Sequence, residues 1–338
     1  MRAAQVHRFG PVDNIFLKLN VPVPKITPSQ VLVRVKAAGV NPVDTYIRSG
    51  NYANLPTLPY SPGREGAGIV EEIGAEVTSH TVGGRVWFTN PISGSAAEFA
   101  AVEACHVFPL PDNVSFTEGA GLGIAYLTAY RALFVKARAQ AGESVFIHGA
   151  TGGVGLAAVQ MGKAHGLRIF GTAGTEEGIA IALANGAERV VNHNENDYVE
   201  KLLNEHKKGF DVILEMLANV NLNHDLALVG KFGRICVIGN RGQIQIDPRS
   251  LMQKESSIIG VMLGHTQLHE YPHMAASINS MLTENQIKPV IHHEYALSEL
   301  AEAHRQVMEK TSSKGKIVVN LDLADNTIPD QPEAESED

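Results

Sequence analysis

Residues 144–166 read SVFIHGATGGVGLAAVQMGKAHG. Ser144 to Ile147 alternates and is apolar enough for a buried strand. His148 to Gly155 is a turn holding Gly149, Gly152, Gly153 and Gly155. From Val154 to Ala164 the apolar residues Val154, Leu156, Ala157, Val159 and Met161 recur at helical spacing, and Gly166 marks the stop. Strand, glycine turn and helix together make a pyrophosphate grip. Glycine lets the backbone approach an anion, and the helix N-terminus offers free N–H groups at the positive end of its dipole. The spacing is Gly149-x-x-Gly152-x-x-Gly155 rather than G-x-G-x-x-G, so the motif alone leaves a ligand-free tight turn open. The run Arg168–Gly171 (RIFG) fits a second parallel strand after a crossover helix.

Composition sets the class. The chain has 338 residues, 44% hydrophobic and 19% charged, which suits a soluble globular protein with room for two domains. No apolar run reaches the roughly 20 residues that span a bilayer, and MRAAQVHRFG lacks the apolar core of a secretory signal. Cys105 and Cys236 are the only cysteines, too few for a disulfide framework or a cysteine-rich zinc lobe. A reducing, cytoplasmic setting fits them. The net charge is −8, but Asp322 to Asp338 carries seven acids and no Lys or Arg; without them it is −1. Residues 324–338 read as a disordered acidic tail.

Outward from the glycine turn, the texture divides the chain. Residues 1–121 are mostly short strands with frequent turn signals, such as Gln30–Lys36 (QVLVRVK), which suggests a small barrel-like β domain. Ala37–Asn54 reads as a polar, Gly/Pro-rich loop where function often lives. From Leu122 strands and helices alternate up to residue 262, which implies an inserted, doubly wound parallel sheet. Residues 263–323 carry two amphipathic helices and a closing strand, Gly315–Leu321, and return to the first domain. A dinucleotide and a substrate would meet in the cleft between the domains.

The motifs VNPVDTYIRSGNY, PGREGAG, TAYRAL, GESVFIHGATGGVGLAAVQ, GTAGTEEG, EMLANVNL and KESSIIGV occur in this order over nearly the whole chain. Together they resemble the medium-chain dehydrogenase/reductase superfamily and, within it, quinone oxidoreductases of the zeta-crystallin type. The resemblance implies an α/β fold with a GroES-like, β-rich catalytic domain and a Rossmann domain. It implies NADPH-dependent reduction of ortho-quinones and related α,β-unsaturated carbonyls, without zinc, by a homodimer or homotetramer. Zinc-dependent relatives place a Cys at position 41 and a His at position 64; Asn41 and Arg64 stand here. Of the remaining histidines, His265, His269 and His273 and the pair His292–His293 have no Cys or carboxylate pattern beside them and read as surface or interface residues.

NAD binders usually carry an acid about 20 residues beyond the glycine turn, to hold the ribose 2′-hydroxyl. Gly171 to Thr175 (GTAGT) is small and neutral, leaving room for a 2′-phosphate. Glu176 and Glu177 follow, read as the first turn of a helix. The lysine that many bacterial relatives carry near Gly178 is missing. By resemblance, the cofactor contacts are Tyr46, Thr128, Thr151, Gly152, Gly153, Val154, Gly155, Gly174, His193, Asn221, Ile238, Gly239, Asn240, Arg241, Val261, Met262, Leu263 and Lys316. His193, Arg241 and Asn221 would serve the 2′-phosphate.

Hydride transfer needs no enzyme nucleophile, because the nicotinamide carries the chemistry. Negative charge develops on the acceptor oxygen, and donors aimed at it help. Asn41, Tyr46 and Tyr52 are the candidates, with Thr128 beside the nicotinamide. Tyr130 reads as packing. Tyr52 stands where related enoyl reductases carry a catalytic Tyr, so a 2-alkenal or enoyl reductase with Tyr52 as proton donor is the alternative enzyme. By family analogy, binding to A/U-rich single-stranded RNA is a further alternative. The chain shows no basic stripe with interleaved aromatics to support it.

Overall fold

The computed structural model describes residues 1–308 and 314–325. The first part of the chain forms β1 (Ala3–Val6), β2 (Ile15–Lys18), β3 (Gln30–Val40), α1 (Pro42–Arg48), β4 (Glu65–Ile73), β5 (Arg85–Thr89), β6 (Phe99–Glu103) and β7 (Val107–Pro109). A short α2 (Phe116–Gly119) leads into one helical rod, Leu122–Lys136, in which α3 (Leu127–Tyr130) is flanked by π-helical turns. Then follow β8 (Ser144–Ile147), α4 (Gly153–Ala164), β9 (Arg168–Ala173), α5 (Glu176–Ala184), β10 (Arg189–Asn192), α6 (Tyr198–Glu205), β11 (Phe210–Glu215), α7 (Ala218–Leu228), β12 (Val229–Val237), α8 (Pro248–Lys254) and β13 (Ser257–Gly260). The chain closes with α9 (Glu270–Thr283), β14 (Ile291–Tyr295), α10 (Leu300–Gln306) and β15 (Lys316–Asn320).

β8 to β13 make one parallel sheet in the order β10-β9-β8-β11-β12-β13. The order reverses between β8 and β11, which opens a crevice at their carboxyl ends. Both faces are covered. On one side Phe146, Phe170 and Phe210 pack with α6 and α7. On the other, α4 and the rod 122–136 share a core with α9 through Leu127, Met161 and Ile278. The second sheet runs β14-β15-β3-β4-β5-β7, with β6 also paired to β3. β15 is antiparallel to β3, with Val319 opposite Ala38, so the last strand does return to the first domain.

Two expectations change. The polar stretch after β3 is not all loop, because α1 occupies its middle. Asn41 takes the backbone N–H of Asp44 and Asp44 takes that of Asn41 in a capping box, with Pro42 in the first helical position. The start of the acidic stretch, through Asp325, is held by the fold. Asp325 accepts from Arg2 Nη1 at 2.7 Å and from the Ser298 N–H at 2.9 Å, and Asp322 pairs with Lys36 at 2.9 Å. Arg2, just before β1, and Lys36 on β3 hold these two acids. The rest of the expected tail, 326–338, lies outside the described residues.

Candidate active site

The glycine turn sits between β8 and α4. Its backbone is tied down on two sides. Ala150 N–H donates to Thr172 O at 2.8 Å and Gly149 N–H to Thr172 Oγ1 at 3.0 Å, both on β9. Gly315, just before β15, bridges Gly152 and donates to Thr151 O at 2.8 Å. Gly149 has φ +61° and open space where a Cβ would stand. Gly152, which has no side chain to cap with, is the N-cap of α4, and no side chain among the described residues accepts from the first turn of that helix. An uncapped helix N-terminus behind a glycine turn fits a pyrophosphate, whose oxygens would satisfy those N–H groups.

Apart from Tyr46 on α1, Thr128 on α3 and Lys316 on β15, the other expected nucleotide contacts follow the carboxyl end of a parallel strand. Gly174 follows β9, His193 follows β10, Asn221 lies after β11, Ile238 to Arg241 follow β12, and Val261 to Leu263 follow β13. A Cβ at Gly174 would stand 3.0 Å from His193 Nε2. Asn194 Nδ2 donates to Gly174 O at 2.9 Å. Thr175 caps α5 by accepting from Gly178 N–H at 3.1 Å, which puts Glu176 and Glu177, both exposed, in its first turn. Asn219 Oδ1 accepts the Arg241 N–H at 2.9 Å, leaving the exposed guanidinium without an ion-pair partner among the described residues. Asn240 Nδ2 donates to Gly242 O at 2.7 Å. Val261 is buried, whereas Met262 is half-exposed.

Beneath these ends lies a buried cluster that hydrophobic periodicity does not reveal. His148 Nε2 is 2.7 Å from Asp225 Oδ1 and 3.4 Å from Glu215 Oε2. Glu215 and Asp225 have no exposed surface. Glu215 Oε1 accepts the Leu217 N–H and, at 3.3 Å, Asn221 Nδ2. Burial pushes both carboxyl groups up to about 7 and holds the imidazole below its ordinary value. The cluster joins the first residue of the glycine turn to the end of β11 and to α7. Glu215 stands in the EMLANVNL motif, which was the one signal that could have found it.

On the catalytic side, a second buried group sits at the junction of β3, β4 and β15. Glu65 accepts from Asn41 Nδ2 (2.7 Å), Lys316 Nζ (2.6 Å) and the Ile124 N–H (2.6 Å). Lys316 Nζ also donates to Asn41 Oδ1 at 2.6 Å and Val40 O at 3.4 Å. An ammonium has three donors, and these acceptors use all of them. These bonds leave the Lys316 ammonium no free N–H for a cofactor, while the Asn41 amide keeps one of its two N–H donors. Asn41 has both side-chain heteroatoms engaged. Lys316 brings only its stem to the glycine turn, where a Cβ at Gly153 would stand 2.8 Å from its Cδ.

The remaining candidates are Tyr46, Tyr52 and Thr128. Tyr46 on α1 and Tyr52 in the following loop are half-buried, and neither has a hydrogen-bond partner among the described residues. Thr128 on α3 is buried. Tyr130 packs edge-on to Phe134 and bonds Ser277 at 3.1 Å, in keeping with a packing role. Arg64 donates to Asn90 Oδ1 at 2.6 Å. A guanidinium has no lone pair for a metal, so position 64 supplies no zinc ligand, and Asn41 is held by Glu65 and Lys316.

Residues 153–280 match the family described as "Zinc-binding dehydrogenase", and residues 27–112 match "Alcohol dehydrogenase GroES-like domain". The chain is therefore a GroES-like domain joined to a Rossmann domain. Mouse quinone oxidoreductase is 47% identical over 324 residues, covering 95% of this chain and 98% of the mouse protein. Human quinone oxidoreductase is also 47% identical, over 322 residues, with the same coverage. The solved Escherichia coli quinone oxidoreductase complexed with NADPH is 28% identical with a TM-score of 0.85, covering 95% of this chain and 100% of that one. With nearly full-length identity to these enzymes, and no cysteine at position 41 or histidine at 64, the chain belongs to the zinc-independent, zeta-crystallin-type quinone oxidoreductases of the medium-chain dehydrogenase/reductase superfamily.

Proposed function

We propose that this protein uses NADPH to reduce quinones, ortho-quinones foremost, and related α,β-unsaturated carbonyls. The observation that carries the reading is 47% identity to mouse quinone oxidoreductase over 95% of the chain. The uncapped α4 N-terminus supports it, since it suits a pyrophosphate. NADPH, when bound, supplies a hydride from its nicotinamide. Thr151 and Gly152 to Gly155 would hold the pyrophosphate. Gly174, His193, Asn221 and Arg241 would hold the adenosine ribose and its 2′-phosphate. Thr128, Ile238 and Val261 to Leu263 would flank the nicotinamide.

Charge develops on the acceptor oxygen, and the unengaged hydroxyls of Tyr46 and Tyr52 are the groups able to meet it. Asn41 acts behind them, holding Glu65 and Lys316 in place. We divide the chain into a catalytic domain, residues 1–121 and 263–323, and a nucleotide domain, residues 122–262. The protein works as a homo-oligomer in the cytoplasm. β13 is an open edge of the parallel sheet, a surface that a second copy can extend. The unpaired Cys105 and Cys236 suit a reducing compartment. Among the described residues no helix is long and apolar enough to cross a membrane.

The test is a panel of quinones and enones offered with NADPH or NADH, followed by loss of nicotinamide absorbance. We expect rapid NADPH oxidation with ortho-quinones and a larger rise in Tm with NADPH than with NADH. An enzyme that oxidises no NADPH in the presence of any quinone would refute the reading.

A further inference from the structure

The end of β9 poses an electrostatic problem. Residues 171–175 carry no charge, and the first turn of α5 carries two exposed acids, Glu176 and Glu177. A 2′-phosphate here would meet two carboxylates and no cation from its own α/β unit. The structure supplies a cation from elsewhere in the chain. Lys314 Nζ forms an ion pair with Glu177 Oε2. Lys314 precedes Gly315, the residue that bridges Gly152 and bonds Thr151 O. Thr151 in turn packs on the start of α5, where a Cβ at Gly178 would stand 3.1 Å from its Cγ2. The lysine backbone is thereby fixed beside the pyrophosphate turn while its ammonium reaches the first turn of α5.

We infer that Lys314 is a 2′-phosphate contact and a determinant of NADPH preference over NADH. The inference rests on the cofactor reading above. Glu177 holds the ammonium at the second-strand end before the cofactor arrives. The Lys314 side chain is 22% exposed and that of Glu177 is 66% exposed. The more exposed carboxylate can therefore turn to water while the less exposed ammonium stays to pair with the phosphate. The exchange replaces a singly charged, well-hydrated acceptor with a more highly charged one that offers three oxygens. His292 on β14 stands close to the same pair. Burial is the main cause of its lowered pKa, the Lys314 charge adds to that, and Glu177 opposes it. This places the catalytic domain's edge, with its imidazole and ammonium, against the nucleotide-binding helix.

Isothermal titration of wild type, Lys314→Gln and Glu177→Gln with NADPH, NADH, 2′,5′-ADP and 5′-ADP tests the assignment without turnover. Lys314→Gln should lose about tenfold in affinity for NADPH and 2′,5′-ADP, the size of one charge-assisted hydrogen bond. It should bind NADH and 5′-ADP as wild type does. Glu177→Gln should bind NADPH more tightly, because it removes the competing carboxylate. Equal losses for phosphorylated and unphosphorylated ligands in Lys314→Gln, or no loss, would overturn the role. So would weakened NADPH binding in Glu177→Gln, since the pair would then be structural. A wild-type protein that binds NADPH and NADH equally would overturn the cofactor reading and this role with it. A wild-type preference that survives undiminished in Lys314→Gln would overturn the role of Lys314 alone.

Discussion

The Lys316 ammonium stands 2.6 Å from Glu65 Oε1, with side-chain exposures of 5% and 0%. The pair joins β15 to β4, and the lysine stem lies against Gly153 at the start of α4. Removing one partner strands the other charge out of water, which typically costs about 3–5 kcal/mol. Lys316→Met should therefore lose stability on that scale in urea denaturation. Lys316→Met combined with Glu65→Gln should recover at least half of the loss, because no lone charge remains. If the double variant is as unstable as the single one, packing rather than charge holds this junction.

Tyr52 separates the two reductase chemistries. Its hydroxyl is unengaged among the described residues. Alkene reduction needs a proton delivered to carbon or to the enolate. Hydride transfer to a quinone gives a hydroquinone anion that water can protonate. With Tyr46 left to meet the quinone oxygen, Tyr52→Phe should keep quinone turnover within about threefold of wild type and slow enone reduction by about 100-fold, within the usual range for a general acid. A parallel loss with both acceptors would assign Tyr52 to binding instead.

The parts of the fold written in local sequence were legible. The turn has its glycines within seven residues, Gly149 to Gly155, and the flanking strand and helix follow directly. The strand and helix alternation after it carried the parallel sheet, because each β/α unit shows its own periodicity. Buried charge was not legible. Glu65 and Lys316 are 251 residues apart, and His148 and Asp225 are 77 apart. Periodicity marks which face is apolar, but only the folded chain shows which acid finds a cation. The same limit explains Asn41. Its motif named the residue, but both of its side-chain partners come from distant strands.

The glycine turn should respond to one methyl group. A Cβ at Gly155 would overlap the Gly149 carbonyl oxygen and crowd Ala150. Both neighbours are backbone and are held to Thr172, so neither can yield cheaply. Gly155→Ala should shift the turn, lower Tm by several degrees, and weaken NADPH and NADH alike by more than tenfold in titration calorimetry. Unchanged affinity for both cofactors would mean that this turn does not hold the pyrophosphate.

The buried cluster under that turn should make stability depend on pH. Glu215 and Asp225 titrate at about 7 in the folded chain, chiefly because burial disfavours their charged forms. In the unfolded chain such acids titrate near 4. The folded state thus holds protons that the unfolded state has released. Stability from these two groups is fully present below about pH 4 and is lost as pH rises through 7. His148 runs the other way. Its folded pKa is lowered by burial, so it disfavours the folded state below its ordinary value of about 6.5. Glu215, His148, His193 and Tyr198 are ionisable groups acting on this site, and Asn221 is its amide neighbour. Asp225→Asn removes one buried acid and leaves the imidazole a neutral partner. The Tm of this variant relative to wild type should therefore rise steadily between pH 5 and pH 8. Differential scanning fluorimetry across that range measures the difference directly. Parallel curves would mean that the two carboxyl groups do not keep their proton near neutral pH, and that His148 carries the charge instead.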